Sequence, residues 1–333
     1  MTEFLVLLMG SAFVSAAPLI LAGLGEMILE RSGAGFNLGI EGMLLLSALA
    51  GVLGSAFGGP WFGLLVGMAI GTCSGLLYAG GTAFGVDVVL VGIAISILGT
   101  GISSYAFQVI APAGHANISA PLLPTVAVPG LSALPEVGEP FRAVGVGLFV
   151  ALGGAAVTAW MLRSTRLGLR LRAVADADVA ILRGISAPKY RLVAALLAGA
   201  LTGAAGAVLA LGTIGSFTPL MTGGRGFLVL AVVIIGRRTT GGVVAGALLF
   251  AGLDGLALLA QTRDLGMPPE AYHAMPYLAA FIVLCAHARW LTRRRDKIVH
   301  AAGPAPPMTA GSATHQSGTV DDVSRPRRER RSQ

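Results

Sequence analysis

Charge is what this 333-residue chain has least of. Asp, Glu, Lys and Arg make up 12% of it, against roughly 25% in a soluble domain. Hydrophobic residues make up 55%, and the mean hydropathy is +0.79. Such a chain cannot clothe a water-facing surface, which excludes an ordinary soluble protein. Lysine is almost missing: Lys189 precedes Tyr190 and Lys297 precedes Ile298. Neither can be the phosphate-cradling lysine of GxxxxGK[ST], so no P-loop is present and no ATP chemistry is expected in this polypeptide. Cysteine is scarce as well. Cys73 and Cys285 lie in apolar runs, without metal-ligand spacing or a disulfide framework, and read as small packing residues. The five histidines are scattered, so no metal is assigned. No GxSxG elbow and no paired-carboxylate arrangement stands out; a non-catalytic chain without a cofactor of its own is expected. No Lys or Arg precedes Arg31, so the N-terminus reads as a first membrane span rather than a signal peptide.

What is present is hydrophobic length. A span needs about 20 apolar residues, and the candidates are 4–25, 36–57, 61–83, 86–110, 144–162, 192–212, 226–236, 243–260 and 277–291. The expected fold class is all-α, a polytopic bundle of about 8–10 spans. The run 226–236 is too short for a simple crossing and reads as half of a broken helix. Positive charge orients the bundle. Arg31, the seven cations of 163–191, Arg237, Arg238 and the basic C-terminal stretch from Arg289 fall on one side when nine crossings start from outside. Only Arg142, Arg225 and Arg263 fall on the other. The net charge of +7 therefore reports orientation, with the C-terminus cytoplasmic. No basic folded face is seen, so no nucleic-acid partner is expected.

Within a transmembrane domain 1–297, two connections are long. The outer loop 111–143 carries Pro112, Pro121, Pro124, Pro129, Pro135 and Pro140 and is expected to fold on the bundle. The inner segment 163–191 contains a candidate helix, LRAVADADVAILRG, ended by Gly184 and Pro188, with Leu171, Val174, Ala175, Val179 and Leu182 on one stripe. The tail 298–333, rich in Pro, Ser, Gly, Thr and Arg, reads as disordered. The stretches GFNLGIEGMLLLSALAG (35–51) and GRGFLVLAVVIIG (224–236) look alike and run in opposite senses, as in an inverted repeat; chance likeness of two glycine-bounded helices is the alternative.

Polar residues among these runs are candidates for a substrate pathway. Glu41 and Asn37 sit at the start of the second run, with Asn37 placed to cap it. Glu41 either accepts hydrogen bonds from loop backbone, pairs with an arginine, or touches cargo. Asp87 opens the fourth span, and Ser96 lies deeper in it. Phe217, Thr218, Met221 and Arg225 precede the short helix, whose N-terminal dipole would point at the pathway. Phe217 suits ring stacking or packing, and Arg225 could instead meet a docked protein. Asp254 lies inside an apolar run without an evident partner, structural and pathway roles both open, while Glu26 and Glu30 read as interfacial.

LILAGLGEMILERSGAG (19–35) followed by FNLGIEGMLLL resembles the start of permease subunits of ABC importers, of the group served by basic membrane lipoproteins and typically carrying nucleosides. That group lies within the branched-chain amino acid and ribose permease superfamily. LRAVADADVAILRGIS (171–186), GSFTPLMTGGRGFLVLAVVIIGR (215–237) and GMPPEAYHAMPYLAAFIVL (266–284) follow in the family's order, and the likeness covers about residues 4–291. It implies a permease of the bacterial cytoplasmic membrane working by alternating access. It implies as partners two ABC ATPase subunits that bind the ATP, a second homologous permease, and a substrate-binding lipoprotein or periplasmic protein. It also implies that Arg170, Leu171, Arg172, Val174, Asp176, Asp178, Leu182 and Arg183 form the segment that couples to the ATPase. Two stretches depart from the family: Asp87, Val88 and Ser96 replace a polar set, and Ala175, Asp176, Ala177 and Asp178 stand where Gly-Glu-Asn-Pro is usual. Branched-chain amino acids or sugars stay open as cargo. A stand-alone secondary transporter or channel stays open as a different class.

Overall fold

The computed structural model describes residues 2–111, 118–127, 144–262 and 277–282, together with Cys285 and Arg289. Residues Met1–Ala288 form one compact unit. The expectations for the tail, for much of the outer loop and for about half of 277–291 fall outside the described residues.

Ten helices are bounded among the described residues: α1 (Thr2–Arg31), α2 (Ile40–Gly58), α3 (Pro60–Ala83), α4 (Val88–Ile110), α5 (Val146–Ser164), α6 (Arg166–Ala173), α7 (Ala177–Leu182), α8 (Ala187–Leu209), α9 (Arg225–Ile235) and α10 (Thr240–Thr262). Seven of these are long and apolar enough to cross a membrane; α9, with 11 residues, is not. Residues 277–282 are helical too. The short strands are accessories. β1 (Ile118–Ser119) pairs antiparallel with β4 (Ser216–Phe217), and β2 (Thr125–Val126) with β3 (Val144–Gly145). They fasten the described part of the 111–143 connection to the bundle, helped by Ser55 Oγ donating to Pro121 O at 3.0 Å and by buried Leu123.

Pro60 and Pro188 each sit in the first turn of their helix, where a missing N–H is harmless. The sequence reading placed the start of α3 within one residue, but that of α8 at 192 rather than Ala187, taking Pro188 only as a stop for the preceding helix. It erred at α2, which starts at Ile40 rather than 36. Gly35 has a positive φ of 86°, and Asn37 Oδ1 accepts from Gly39 N at 2.8 Å. The side chain expected to cap the helix instead closes a turn ahead of it, and the cap position is Gly39, with no side-chain bond.

Helices α1, α2 and α8 form the centre. About 78% of the α1 span is buried, against 28% for α4 and α5. The centre is close-packed through small residues. Gly67, Gly71 and Gly75 recur every four residues along α3 and meet Gly199 and Gly203 of α8; a Cβ on Gly71 would lie 2.3 Å from Gly199 O. Backbones approach this way when membrane helices gain nothing from a hydrophobic drive and rely on contact. Replacing Gly71 by Leu must separate two whole helices, so a loss of about 3 kcal/mol or more is expected, read as loss of folded protein in detergent. Gly80→Leu, beyond this seam on an open face of the same helix with nothing within 4 Å, should be tolerated.

The peripheral helices carry apolar side chains outward: Leu90, Ile93, Ile97 and Leu98 on α4, Leu152 and Val157 on α5. Cys73, read as a packing residue, is exposed on α3, and Cys285 is exposed as well. Exposed aromatics mark both ends of the bundle. Trp61 and Phe62 lie at one end, Trp160 and Phe84 at the other, the amphipathic belts of a protein that crosses a bilayer. The chain is a multi-pass membrane protein.

Candidate functional site

The chain is broken between α8 and α9. Helix α8 loosens into a π turn, Ala210–Ile214, and stops at Gly215 in the left-handed region. The backbone then runs extended through β4 and turns through Leu220, Gly223 and Gly224, all with positive φ, before α9 begins at Arg225. Helix α9 ends beside Arg237 and Arg238 at the basic end of the bundle. Eleven residues at about 1.5 Å each put its N-terminus about 15 Å from that end, near the middle of a core about 30 Å thick.

An exposed helix start at that depth needs acceptors for its free N–H groups, and Glu41 supplies them. Its Oε1 accepts from Gly224 N at 2.8 Å and from Thr222 Oγ1 at 2.5 Å; its Oε2 accepts from Gly226 N at 2.7 Å. Glu41 belongs to the first turn of α2. Helix α2 leads away from the basic end while α9 leads toward it, so two helix N-termini meet head to head and share one carboxylate. They are the two look-alike stretches, and their opposite sense is visible here. Gly226 permits the approach: a Cβ there would lie 2.6 Å from Glu41 N.

Arg225 pairs with Asp254 of α10 at 3.0 Å, and Ser15 of α1 donates to the same Oδ2 at 2.8 Å. Asp254 thus has the partner that sequence reasoning could not name. Tyr277 donates to Gly223 O on the other side of the break. Removing Asp254 alone strands a cation within the membrane. Asp254→Ala is expected to destabilise the fold by about 3 kcal/mol, and the Arg225→Leu/Asp254→Leu pair to recover most of it, as measured by thermal unfolding of the four corners of the cycle.

The other pathway candidates divide. Phe217 is fully buried and packs on Phe107, with ring centroids 5.9 Å apart. Thr218 and Met221 are half-buried in the break. Ser96 is half-buried where α4 crosses α2; a Cβ on Gly42 would lie 2.7 Å from its Cα. Asn37 is buried, its N–H donating to Glu26 Oε1 at 2.8 Å. Asp87 is remote from the break, capping α4 through Val89 N at 2.8 Å and Leu90 N at 3.4 Å.

One residue of the site was missed. Thr222 completes the Glu41 cluster; its only sequence signal is its place just before the glycine pair. Glu26 and Glu30, read as interfacial, are shielded by protein: Glu26 is 2% exposed and holds the α1–α2 loop through Asn37, while Glu30 pairs with Arg238 at the basic end. Their four-residue spacing on α1, with arginines gathered at the same end, was the available clue.

The helix expected over 171–184 is not continuous. It breaks at Val174–Asp176 into α6 and α7, because Asp176 caps α7 by accepting from Asp178 N at 3.0 Å and Val179 N at 3.3 Å. The proposed common stripe therefore splits. Leu171 and Val174 are fully buried against the bundle, whereas Leu182 is 86% exposed and its neighbour Ile181 76% exposed. Arg172 donates to Leu162 O at 2.5 Å, and Arg170 to the Tyr190 hydroxyl at 2.6 Å, its guanidinium lying over that ring. Asp178 and Arg183 are exposed. The arginines and the inward apolar pair anchor the segment, and the tip of α7 presents a small apolar knob.

Comparison with known proteins gives the family. Residues 8–284 match the family described as branched-chain amino acid transport system / permease component. The putative glucose ABC transporter permease protein TsgC13 of Haloferax volcanii is 34% identical, over 79% of this chain and 80% of its own. The guanosine ABC transporter permease protein NupQ of Bacillus subtilis is 30% identical, over 85% and 92%. The nucleoside ABC transporter permease protein NupC of Lactococcus lactis is 30% identical, over 84% and 91%. No solved structure matches significantly. A broken-helix bundle whose sequence holds no P-loop, matched to these permeases over most of its length, belongs to the branched-chain amino acid transport system permease family of ABC transporters.

Proposed function

We propose that this permease imports nucleosides in an ATP-driven importer of a bacterial cytoplasmic membrane, with its basic end and C-terminus toward the cytoplasm. The observation that carries the reading is likeness over more than four-fifths of the chain to permeases named for guanosine and for nucleosides. The exposed apolar faces of α4 and α5 fit a subunit that packs against lipid and a second, homologous permease. The α7 knob suits a groove in an ABC ATPase, and a substrate-binding lipoprotein or periplasmic protein would deliver cargo to the opposite end. Alternating access then moves cargo between the two permeases, the ATPase supplying all the covalent chemistry.

The test is uptake of labelled guanosine, adenosine, uridine, glucose and leucine by cells with and without the gene. Nucleoside uptake that is lost on deletion and restored by the gene is the expected result; unchanged nucleoside uptake overturns the assignment. A second reading, sugar import, is favoured by the 34% identity to a relative named for glucose, and glucose-selective loss would select it.

A further inference from the structure

At the basic end, a cleft of about 720 Å³ opens between the last turns of α3, the α3–α4 connection and the first turns of α8. Its walls are mainly apolar, with Leu76, Ala79, Val86, Val88 and Leu192 along them. The two hydroxyls that line it are already used: Tyr78 donates to Ala34 O at 3.0 Å, and Thr82 to Tyr78 O at 3.0 Å. Waters held against these walls would find few partners, because a held water needs two to four polar contacts. A hydrocarbon chain meets no such difficulty.

The rim is different. Lys189 and Arg191 both line the cleft and both are exposed. Among the described residues neither lies within ion-pair distance of a carboxylate. The neighbouring Asp87 is turned to its own helix start. Two free cations thus stand over an apolar slot, and Leu76 on its wall is itself exposed. A basic rim between membrane helices above an apolar wall matches an acidic lipid headgroup with its tail.

We infer that this cleft binds one anionic phospholipid, its phosphate at Lys189 and Arg191 and an acyl chain against Leu76, Ala79 and Leu192. The site lies away from the Glu41 cluster and does not depend on which cargo is carried. It would fix α3 to α8 at the end of the bundle where α6 and α7 emerge.

The experiment uses the assembled transporter, purified in mild detergent, stripped of lipid and re-exposed to phosphatidylglycerol or phosphatidylcholine, with bound lipid counted by native mass spectrometry. Wild type is expected to retain phosphatidylglycerol over phosphatidylcholine by about 30-fold, the preference two cations give near an acidic headgroup. Lys189→Glu/Arg191→Glu should abolish that preference. Gly80→Leu, whose side chain enters open space in the cleft, should reduce retention of both lipids while the complex stays intact. Equal retention of phosphatidylglycerol in all three proteins overturns the inference. So does its displacement by millimolar inorganic phosphate with no dependence on the acyl chain. Loss of the second permease from the Gly80→Leu complex with lipid retention unchanged overturns it too, since the cleft would then be a protein interface. None of these readings requires transport, so the cargo assignment stands or falls separately.

Discussion

Glu41→Ala is expected to cut uptake at least about tenfold and to lower the thermal stability of the purified protein. The carboxylate accepts from two backbone N–H groups and one hydroxyl at the start of α9. Without it, Gly224 N and Gly226 N are left without acceptors near the middle of the membrane, each worth about 1–3 kcal/mol. Part of that loss appears as unfolding. Part appears as a misplaced α9, and a shift of only ~1.4 kcal/mol between arrangements changes their ratio tenfold. Glu41→Gln should be intermediate. The amide keeps one oxygen for Gly224 and Thr222 but turns N–H toward the N–H of Gly226. Uptake in the alanine variant within twofold of wild type, with an unchanged melting temperature, would remove Glu41 from its role as the shared cap.

The second large effect concerns the tip of α7. Ile181→Asp/Leu182→Asp should abolish capture of the ATPase and transport-coupled hydrolysis, while membrane insertion and melting temperature stay at wild-type values. Both side chains are mostly exposed, so charging them removes little packing. Charge in an apolar contact that must be desolvated is poorly tolerated. Val174→Arg serves as the contrast. Val174 is fully buried, so this change should unfold the segment and lower stability along with coupling. The reading is copurification of the ATPase with tagged permease, beside thermal unfolding of the permease alone. Normal copurification with the double aspartate variant would place the docking surface elsewhere.

These two cases show what the sequence could and could not convey. Hydrophobic length located the described spans to within about six residues at each end, because lipid demands about 20 apolar residues and little else. The α9 half-helix was legible for the same reason: 11 apolar residues followed by Arg237 and Arg238 are too few to cross. The partners of Glu41 were not legible, since Thr222 and Gly226 lie more than 180 positions away and no periodicity links them. Nor was the Arg225–Asp254 pair, because a single carboxylate in an apolar run specifies only that some partner exists. The division of α6 from α7 was within reach. Asp176 ahead of an apolar run is a helix-start signal, but the spacing of Leu171, Val174 and Leu182 fits one uninterrupted helix equally well.

The glycine seam between α3 and α8 has a mechanical consequence. Where Gly71 and Gly199 touch main chain to main chain, no side chains remain to swing aside, and sliding one helix past the other would drive carbonyl oxygens into each other. The two must travel as a single plank. Whatever rocking carries cargo across is then pushed into the stretch that has no such seam, the loosened turn and coil between Ala210 and Gly224, which would act as the elbow of the stroke.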